Sequence, residues 1–151
     1  MRIKGGFTLI ELLVVMGIMA VLTGLAAFNF NQSRLRARDV QRKNDLGQLQ
    51  KALELYRNDN NEYPGAAGFQ NTLYESSPQY IKTIFVDARA SEWEDYQYLP
   101  GLGNKTYYLT ACLENPADSS KASSNQCATA GVSCACGAAS KTGVLYIISQ
   151  P

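Results

Sequence analysis

Histidine is absent from this chain of 151 residues, which carries 14 lysines and arginines, 13 aspartates and glutamates, and four cysteines. Without histidine there is no Ser-His-Asp triad, no Cys-His pair and no histidine-containing metal site. Phosphate-loop and dinucleotide-binding fingerprints are also missing, because Gly101-Leu102-Gly103 is too short to count as one. The sequence therefore favours a non-enzymatic protein with no catalytic residue, cofactor or metal.

Charge is scarce near the amino terminus. Residues 7–30 form a run of 24 residues in which Glu11 is the one charged side chain. As a helix this run is about 36 Å long, enough to span a hydrocarbon core of about 30 Å. A carboxylate at that depth costs roughly 3 kcal/mol, so Glu11 is expected to have a partner or a role. The alternative is an ordinary signal anchor that happens to contain a glutamate.

A short basic leader, residues 1–6, precedes the apolar run and ends in two glycines. A secretory signal peptide has its apolar core before a small-residue cleavage site, whereas here the small residues come first. Together with the string Gly-Phe-Thr-Leu-Ile-Glu that starts at Gly6, this order resembles the class III signal of type IV pilins and type II secretion pseudopilins. The resemblance rests on residues 1–30 alone.

The resemblance implies that a prepilin peptidase cuts the bond between Gly6 and Phe7 and methylates the new amino terminus of Phe7. Pairing that ammonium with Glu11 would offset part of the cost of burying both charges. The backbone of a helix rises about 6 Å over four residues, so a contact within one subunit is possible. The resemblance implies instead a contact between neighbouring subunits, in which Glu11 sets their axial register. Both arrangements remain open.

The helix is predicted to continue as an amphipathic segment over residues 31–58, which contain no proline. Apolar residues recur there at spacings of three, four and three, which places them on one helical face. The run of asparagine and aspartate at 58–61, followed by Pro64-Gly65, is a stop signal. A helix from Phe7 to about Asn58 would be roughly 78 Å long. The residues of the apolar face are Leu46, Leu49, Leu53 and Tyr56.

Residues 59–151 are predicted to form a globular head. We expect a short helical turn near Pro78-Gln79-Tyr80-Ile81 and strands at 96–99, 105–113 and 143–148. About three antiparallel strands packed on the amphipathic half of the helix give an α+β fold, which the pilin resemblance also implies. The expected core anchors between the helix and the strands are Phe69, Leu73, Ile84, Phe85, Val86 and Trp93.

The four cysteines all lie in the last third of the chain. For an exported domain, two disulfides are favoured over a zinc site, which usually needs a Cys-x-x-Cys pair. A bridge from Cys134 to Cys136 would strain so short a loop, so each is expected to join Cys112 or Cys127, in either order. These bridges would fasten the loop at 114–141.

A basic block follows the apolar run, and by the positive-inside rule it competes with the leader for the cytoplasmic side. The leader motif overrides that rule here. The block is interpreted as a patch for anionic lipid headgroups, DNA or acidic surfaces of neighbouring subunits, with a solvated helix face as the alternative. Its residues are Arg34, Arg36, Arg38, Arg42 and Lys43.

No proline interrupts the apolar run, although pilins usually carry one near its end. The weak points left are Gly17, Gly24 and Gly47, each costing about 1 kcal/mol relative to alanine. Gly24 is the best candidate. Whether the helix melts on assembly without a proline remains open.

One acidic cluster has the oxygen ligands that calcium prefers. It lacks a recognisable ligand-loop spacing, so a solvated surface is favoured over a calcium site. The cluster consists of Asp87, Glu92, Glu94 and Asp95.

These features predict the structural subunit of a type IV pilus-like filament, a helical homopolymer with residues 7–30 at its core. The alternatives are a pseudopilin of a type II secretion or DNA-uptake system, or a minor pilin that binds DNA or surfaces through the basic block or through exposed Tyr107 and Tyr108. The implied partners are identical subunits, the prepilin peptidase, an inner-membrane assembly platform and minor pilins. The implied location is a single pass of the cytoplasmic membrane with the head outside, then an extracellular filament or periplasmic pseudopilus.

Overall fold

The computed structural model describes residues 6–137 and 143–150, and it divides into two compact units, Met1–Leu35 and Arg36–Pro151. It confirms the predicted α+β fold, in which a long amino-terminal helix is followed by an antiparallel sheet and a disulfide-tied carboxyl-terminal region. In chain order the elements are α1 (Leu9–Asn60), α2 (Phe69–Glu75), β1 (Gln97–Pro100), a 3-10 turn (Leu102–Asn104), β2 (Tyr107–Leu113), α3 (Ser124–Ala130), β3 (Ala135–Cys136) and β4 (Gly143–Gln150).

The sheet has the strand order β1-β2-β4-β3, and all three pairings are antiparallel. The longest pairing joins β2 to β4, with Tyr107 opposite Gln150 and Leu113 opposite Val144. The strand β3, which the sequence did not predict, adds two residues at one edge of the sheet. So short an edge strand leaves few unpaired backbone groups, which limits edge-to-edge association.

The core of the second unit lies between α1 and the sheet. The predicted apolar face of α1 is confirmed, because Leu46, Leu49 and Leu53 are fully buried and Tyr56 packs against the same cluster. Burying each such side chain stabilises the fold by about 2 kcal/mol. Aromatic side chains of α2 and the strands complete this cluster, among them Phe69, Tyr98 and Tyr107.

The long helix begins two residues later and ends two residues later than predicted. It ends at Asn60 because Asn61 adopts a left-handed backbone with φ of 61°. The Asn61 amide donates to the Arg57 carbonyl at 2.8 Å, which closes the last turn. Asparagine tolerates this conformation better than most residues, so the stop is encoded locally.

The prediction of a helical turn near Pro78 is wrong, since the short helix of this region is α2 at Phe69–Glu75. Its buried residues, Phe69 and Leu73, are four positions apart and therefore share one face. Two predicted core anchors are also wrong, because Ile84 and Val86 are exposed. The predicted anchor Trp93 is buried.

Both disulfides are formed, and they select one of the two pairings that the sequence left open. Cys112 of β2 joins Cys136 of β3, and Cys127 of α3 joins Cys134, which lies after that helix. The helix α3 was not predicted, although Ser123 and Gln126 form a capping box at its start. The last part of the predicted loop, from residue 138 onward, lies outside the described residues.

Gly143 begins β4 at a point where the chain approaches buried groups closely. A Cβ atom there would lie 2.5 Å from the carbonyl oxygen of Leu113 and 2.8 Å from the Sγ of Cys112. No side chain fits in that space. Glycine therefore allows β4 to pack beside the Cys112–Cys136 bridge.

Candidate functional site

In the first unit, Met1–Leu35, most of the apolar side chains that the structure describes are exposed. Every large apolar side chain of α1 from Leu9 to Leu25 is at least 52% exposed. By length and composition this helix is long and apolar enough to cross a membrane. Exposing this much apolar surface to water is unfavourable, so the segment requires a bilayer or other apolar chains around it.

Glu11 lies in the first turn of α1 and is held there by Thr8. The backbone amide of Thr8 donates to Oε2 of Glu11 at 2.9 Å, and the Thr8 hydroxyl donates to the same oxygen at 2.7 Å. The Glu11 amide donates in turn to the Thr8 hydroxyl at 3.3 Å. These reciprocal bonds form a capping box. The spacing Thr8-x-x-Glu11 encodes it, although the sequence analysis did not predict it. The carboxylate is therefore held next to the residue that would become the amino terminus.

Gly6 and Phe7 precede the helix and have no regular secondary structure. Phe7 is 84% exposed, and no atom lies within 4 Å of where a Cβ on Gly6 would be. Both residues of the predicted cleavage site therefore have an accessible, non-helical backbone. The other residues of the predicted leader, 1–5, lie outside the described residues.

Gly24 lies inside α1, and the helix continues through it to Asn60. A Cβ at Gly24 would meet no atom within 4 Å, so packing does not require glycine there. Its role as a weak point on assembly remains a prediction.

Carboxylates of the head engage three of the five members of the predicted basic patch. Arg38 forms two hydrogen bonds of 2.7 Å with Glu114. Lys43 bonds to Asp118 at 2.7 Å. Arg42 is buried and contacts three carboxylates, so neither an anionic partner nor solvent reaches it. The two members that precede them, Arg34 and Arg36, are exposed.

Four buried charges and two half-buried arginines form one ion network, which we define as Arg38, Asp39, Arg42, Asp87, Arg89 and Glu114. Arg42 donates to Asp39 at 2.8 Å and to both oxygens of Asp87, and it lies 2.9 Å from Glu114. Asp39 also accepts the backbone amide of Glu114 at 2.9 Å. Removing one partner of such a buried pair typically costs about 3–5 kcal/mol. The network therefore fastens α1 to the loop that contains Asp87 and Arg89 and to Glu114, directly after β2.

The network predicts that acid destabilises the head. Burial alone would raise the pKa of Glu114, but the hydrogen bond from Arg38 and the charge of Arg42 lower that pKa to about 2, from an ordinary value of 4.5. A carboxyl with a depressed pKa stabilises the fold above its unfolded pKa. This stabilisation is lost as the pH falls from about 4.5 through about 2.

We therefore expect the urea midpoint for unfolding of the full chain in detergent to fall over that pH range. The fluorescence of Trp93 reports the unfolding. Glu114→Gln should lower the midpoint at pH 7 and flatten the acid slope. Glu75→Gln, which changes an exposed carboxylate of α2, is the control and should keep the wild-type slope. An unchanged slope in Glu114→Gln would contradict this role.

One member of the acidic cluster, Asp87, is buried, whereas its other three members are exposed, as expected for a solvated surface. Asp87 is buried against Arg42, and its backbone amide donates a hydrogen bond to the Asp95 carboxylate at 3.0 Å. Glu92 pairs with Arg89 at 2.6 Å. Within residues 6–137 and 143–150, no group of three or more cysteine, aspartate or glutamate side chains is arranged to hold a metal ion.

The proposed base-stacking role of the tyrosines is wrong for Tyr107. Its side chain is fully buried and packs edge-on against Tyr63, with ring centroids 4.7 Å apart. Its hydroxyl donates to Glu54 at 3.2 Å. Tyr108, on the other face of β2, is half-buried. An exposed pair for stacking on nucleic acid is therefore not formed.

Known proteins share both the amino-terminal motif and much of the chain. Residues 1–27 match the family described as the prokaryotic N-terminal methylation motif. The chain is similar to the Type IV wide pilus major component PilA4 of Thermus thermophilus, with 35% identity over 94 residues that cover 62% of this chain and 72% of that protein. It is similar to Type II secretion system core protein G of Vibrio cholerae, with 31% identity over 112 residues, 67% of this chain and 75% of that protein.

A third relative is core protein G of Aeromonas hydrophila, with 36% identity over 63 residues. That match covers 42% of this chain and less than half, 44%, of the Aeromonas protein. No solved structure matches the chain.

Proposed function

The chain belongs to the family of type IV pilins and type II secretion pseudopilins, and we propose that it is a structural subunit of a type IV pilus-like filament. The observation that carries this proposal is the exposed apolar helix, which has one acid in its first turn and continues into the head. In a filament, packing among the apolar segments, residues 7–30, would replace their contacts with lipid.

Maturation is proposed to occur at the bond between Gly6 and Phe7. The prepilin peptidase would remove residues 1–6 and methylate Phe7. The exposure of both residues and their position just before the helix support this step. The mature chain would then consist of the apolar segment 7–30, the amphipathic segment 31–58 and the head, residues 59–151.

Glu11 is proposed to guide docking. After cleavage Phe7 carries an ammonium group beside a helix start that already holds the Glu11 carboxylate. In apolar surroundings each of these charges is costly alone, and pairing offsets part of both costs. A pair formed between neighbouring subunits would fix their axial stagger, whereas a pair within one subunit would leave the stagger to packing alone.

The subunit is proposed to reach the filament from the membrane. Before assembly it would cross the cytoplasmic membrane once with its head outside, and the assembly platform and minor pilins would act on it there. Afterwards it would lie in an extracellular filament or a periplasmic pseudopilus. Identical copies would be its main partners. Membership of the family supports assembly with other pilin subunits.

A pseudopilin of a type II secretion system is the second candidate. The similarity to core protein G of Vibrio cholerae and Aeromonas hydrophila favours this function. The similarity to the Thermus protein favours a pilus subunit. The two functions use the same processed helix and differ in what the filament does.

Electron microscopy of the source cells with and without this chain tests the proposal. We expect surface filaments that disappear on deletion and return on complementation if the chain is a pilin. If the chain is a pseudopilin, its deletion should leave surface filaments in place and block protein secretion instead. Unchanged filaments together with unchanged secretion would contradict both.

A further inference from the structure

Two cations of the basic block remain available after the head has engaged the others. Arg34 and Arg36 are exposed, and the Arg34 guanidinium lies 4.4 Å from the centroid of the Phe30 ring. Phe30 and Arg34 are four positions apart and therefore share one helical face. We propose that Arg34, held over Phe30, binds the phosphate headgroups of anionic phospholipids in the leaflet at the carboxyl end of the apolar segment. This inference rests on the membrane-spanning precursor of the proposed function.

The length of the helix places Arg34 at the correct depth. From Leu9 to Phe30 the helix rises about 32 Å, and Arg34 lies about 6 Å further on. A bilayer measures about 30 Å across its hydrocarbon core and about 40–45 Å with its headgroup regions. With Leu9 at one boundary of the core, Phe30 is at the edge of the opposite side and Arg34 is among the headgroups.

The direction of the side chain agrees with that placement. Side chains on a helix point back toward its amino terminus, so the Arg34 guanidinium reaches toward the apolar segment. The ring of Phe30 supports it by a cation–π contact and belongs to the apolar side of the boundary. A planar guanidinium can donate two hydrogen bonds to a phosphate, and a phospholipid headgroup has the phosphate oxygens that accept them.

DNA is a weaker match for the same residues. Binding to duplex DNA depends on neutralising many phosphates, and six to ten contacts are common in such proteins. Here Arg38, Arg42 and Lys43 already have carboxylate partners. A lipid surface needs fewer cations, because the apolar segment already holds the chain at the membrane.

Lipid selectivity of the full chain in phosphatidylcholine bilayers tests the inference. Trace spin-labelled phosphatidylglycerol or spin-labelled phosphatidylcholine reports the fraction of lipid immobilised by the protein. We expect wild type to prefer phosphatidylglycerol by a factor of about five, equal to ~1 kcal/mol for one cation at the surface. The preference should weaken as salt rises.

Arg34→Gln should remove most of the preference, and Arg34→Lys should retain part of it. Lys51→Gln, which removes an exposed cation from the amphipathic segment of α1, is the matched control and should behave as wild type. Equal association of both lipids with wild type would overturn the inference, as would an unchanged preference in Arg34→Gln. DNA binding that depends on Arg34, without lipid preference, would also overturn it.

Filament formation by the same variants separates this inference from the proposed function. Filaments from a wild-type chain that shows no lipid preference would overturn the lipid site alone. A wild-type chain that restores neither filaments nor secretion to deleted cells would overturn the proposed function, whatever its lipid preference.

Discussion

Replacing Glu11 with alanine is expected to leave a processed subunit in the membrane and to stop filament growth. The variant retains the cleavage site, so maturation continues. Docking fails because the Phe7 ammonium enters an apolar environment without its carboxylate. A loss of about 2–3 kcal/mol at each added subunit lowers its affinity by roughly 30- to 150-fold. Immunoblots of sheared filaments and of membranes measure both steps.

Two further variants separate the charge of Glu11 from its capping role. Glu11→Gln can still accept the hydrogen bonds of Thr8 but carries no charge, so it should also fail to assemble. Glu75→Ala removes an exposed carboxylate of α2 and should assemble normally. Filaments of normal number and length from Glu11→Ala would rule out the docking role, and rescue by Glu11→Gln would assign the effect to the helix cap.

Replacing Gly6 with valine is expected to block maturation and, with it, all later steps. A β-branched side chain restricts the backbone and adds bulk directly at the scissile bond. The unprocessed chain should stay in the membrane, heavier than the mature subunit by its six leader residues. Intact-mass measurement of the membrane fraction detects that difference.

The control for Gly6→Val is Gly65→Val, which also adds a side chain where no atom lies within 4 Å of the new Cβ. It is expected to mature and assemble like wild type. Processing of Gly6→Val at the wild-type rate would refute the hypothesis that a peptidase cuts after Gly6 and requires glycine there.

The sequence predicts those parts of the fold that depend on neighbouring residues. Leu46, Leu49 and Leu53 were placed on the buried face of α1 because helical periodicity is a local property. Two local signals were present but overlooked. The capping boxes Thr8-x-x-Glu11 and Ser123-x-x-Gln126 mark the starts of α1 and α3.

The basic block shows where local patterns stop being sufficient. Arg42 and Lys43 look like surface cations, yet their partners Asp87 and Asp118 lie 45 and 75 residues away. Only the packing of the head brings these charges together. The same packing buries Tyr107, which lies on the same face of β2 as the buried Leu109.

The central claim is that the apolar helix remains on the mature subunit and forms the core of the filament. Mass spectrometry of subunits recovered from purified filaments tests this most directly. The predicted result is a chain that begins at a methylated Phe7 and retains residues 7–30. Filament subunits that begin beyond residue 30 would contradict the account, because the segment that holds the polymer together would then be missing.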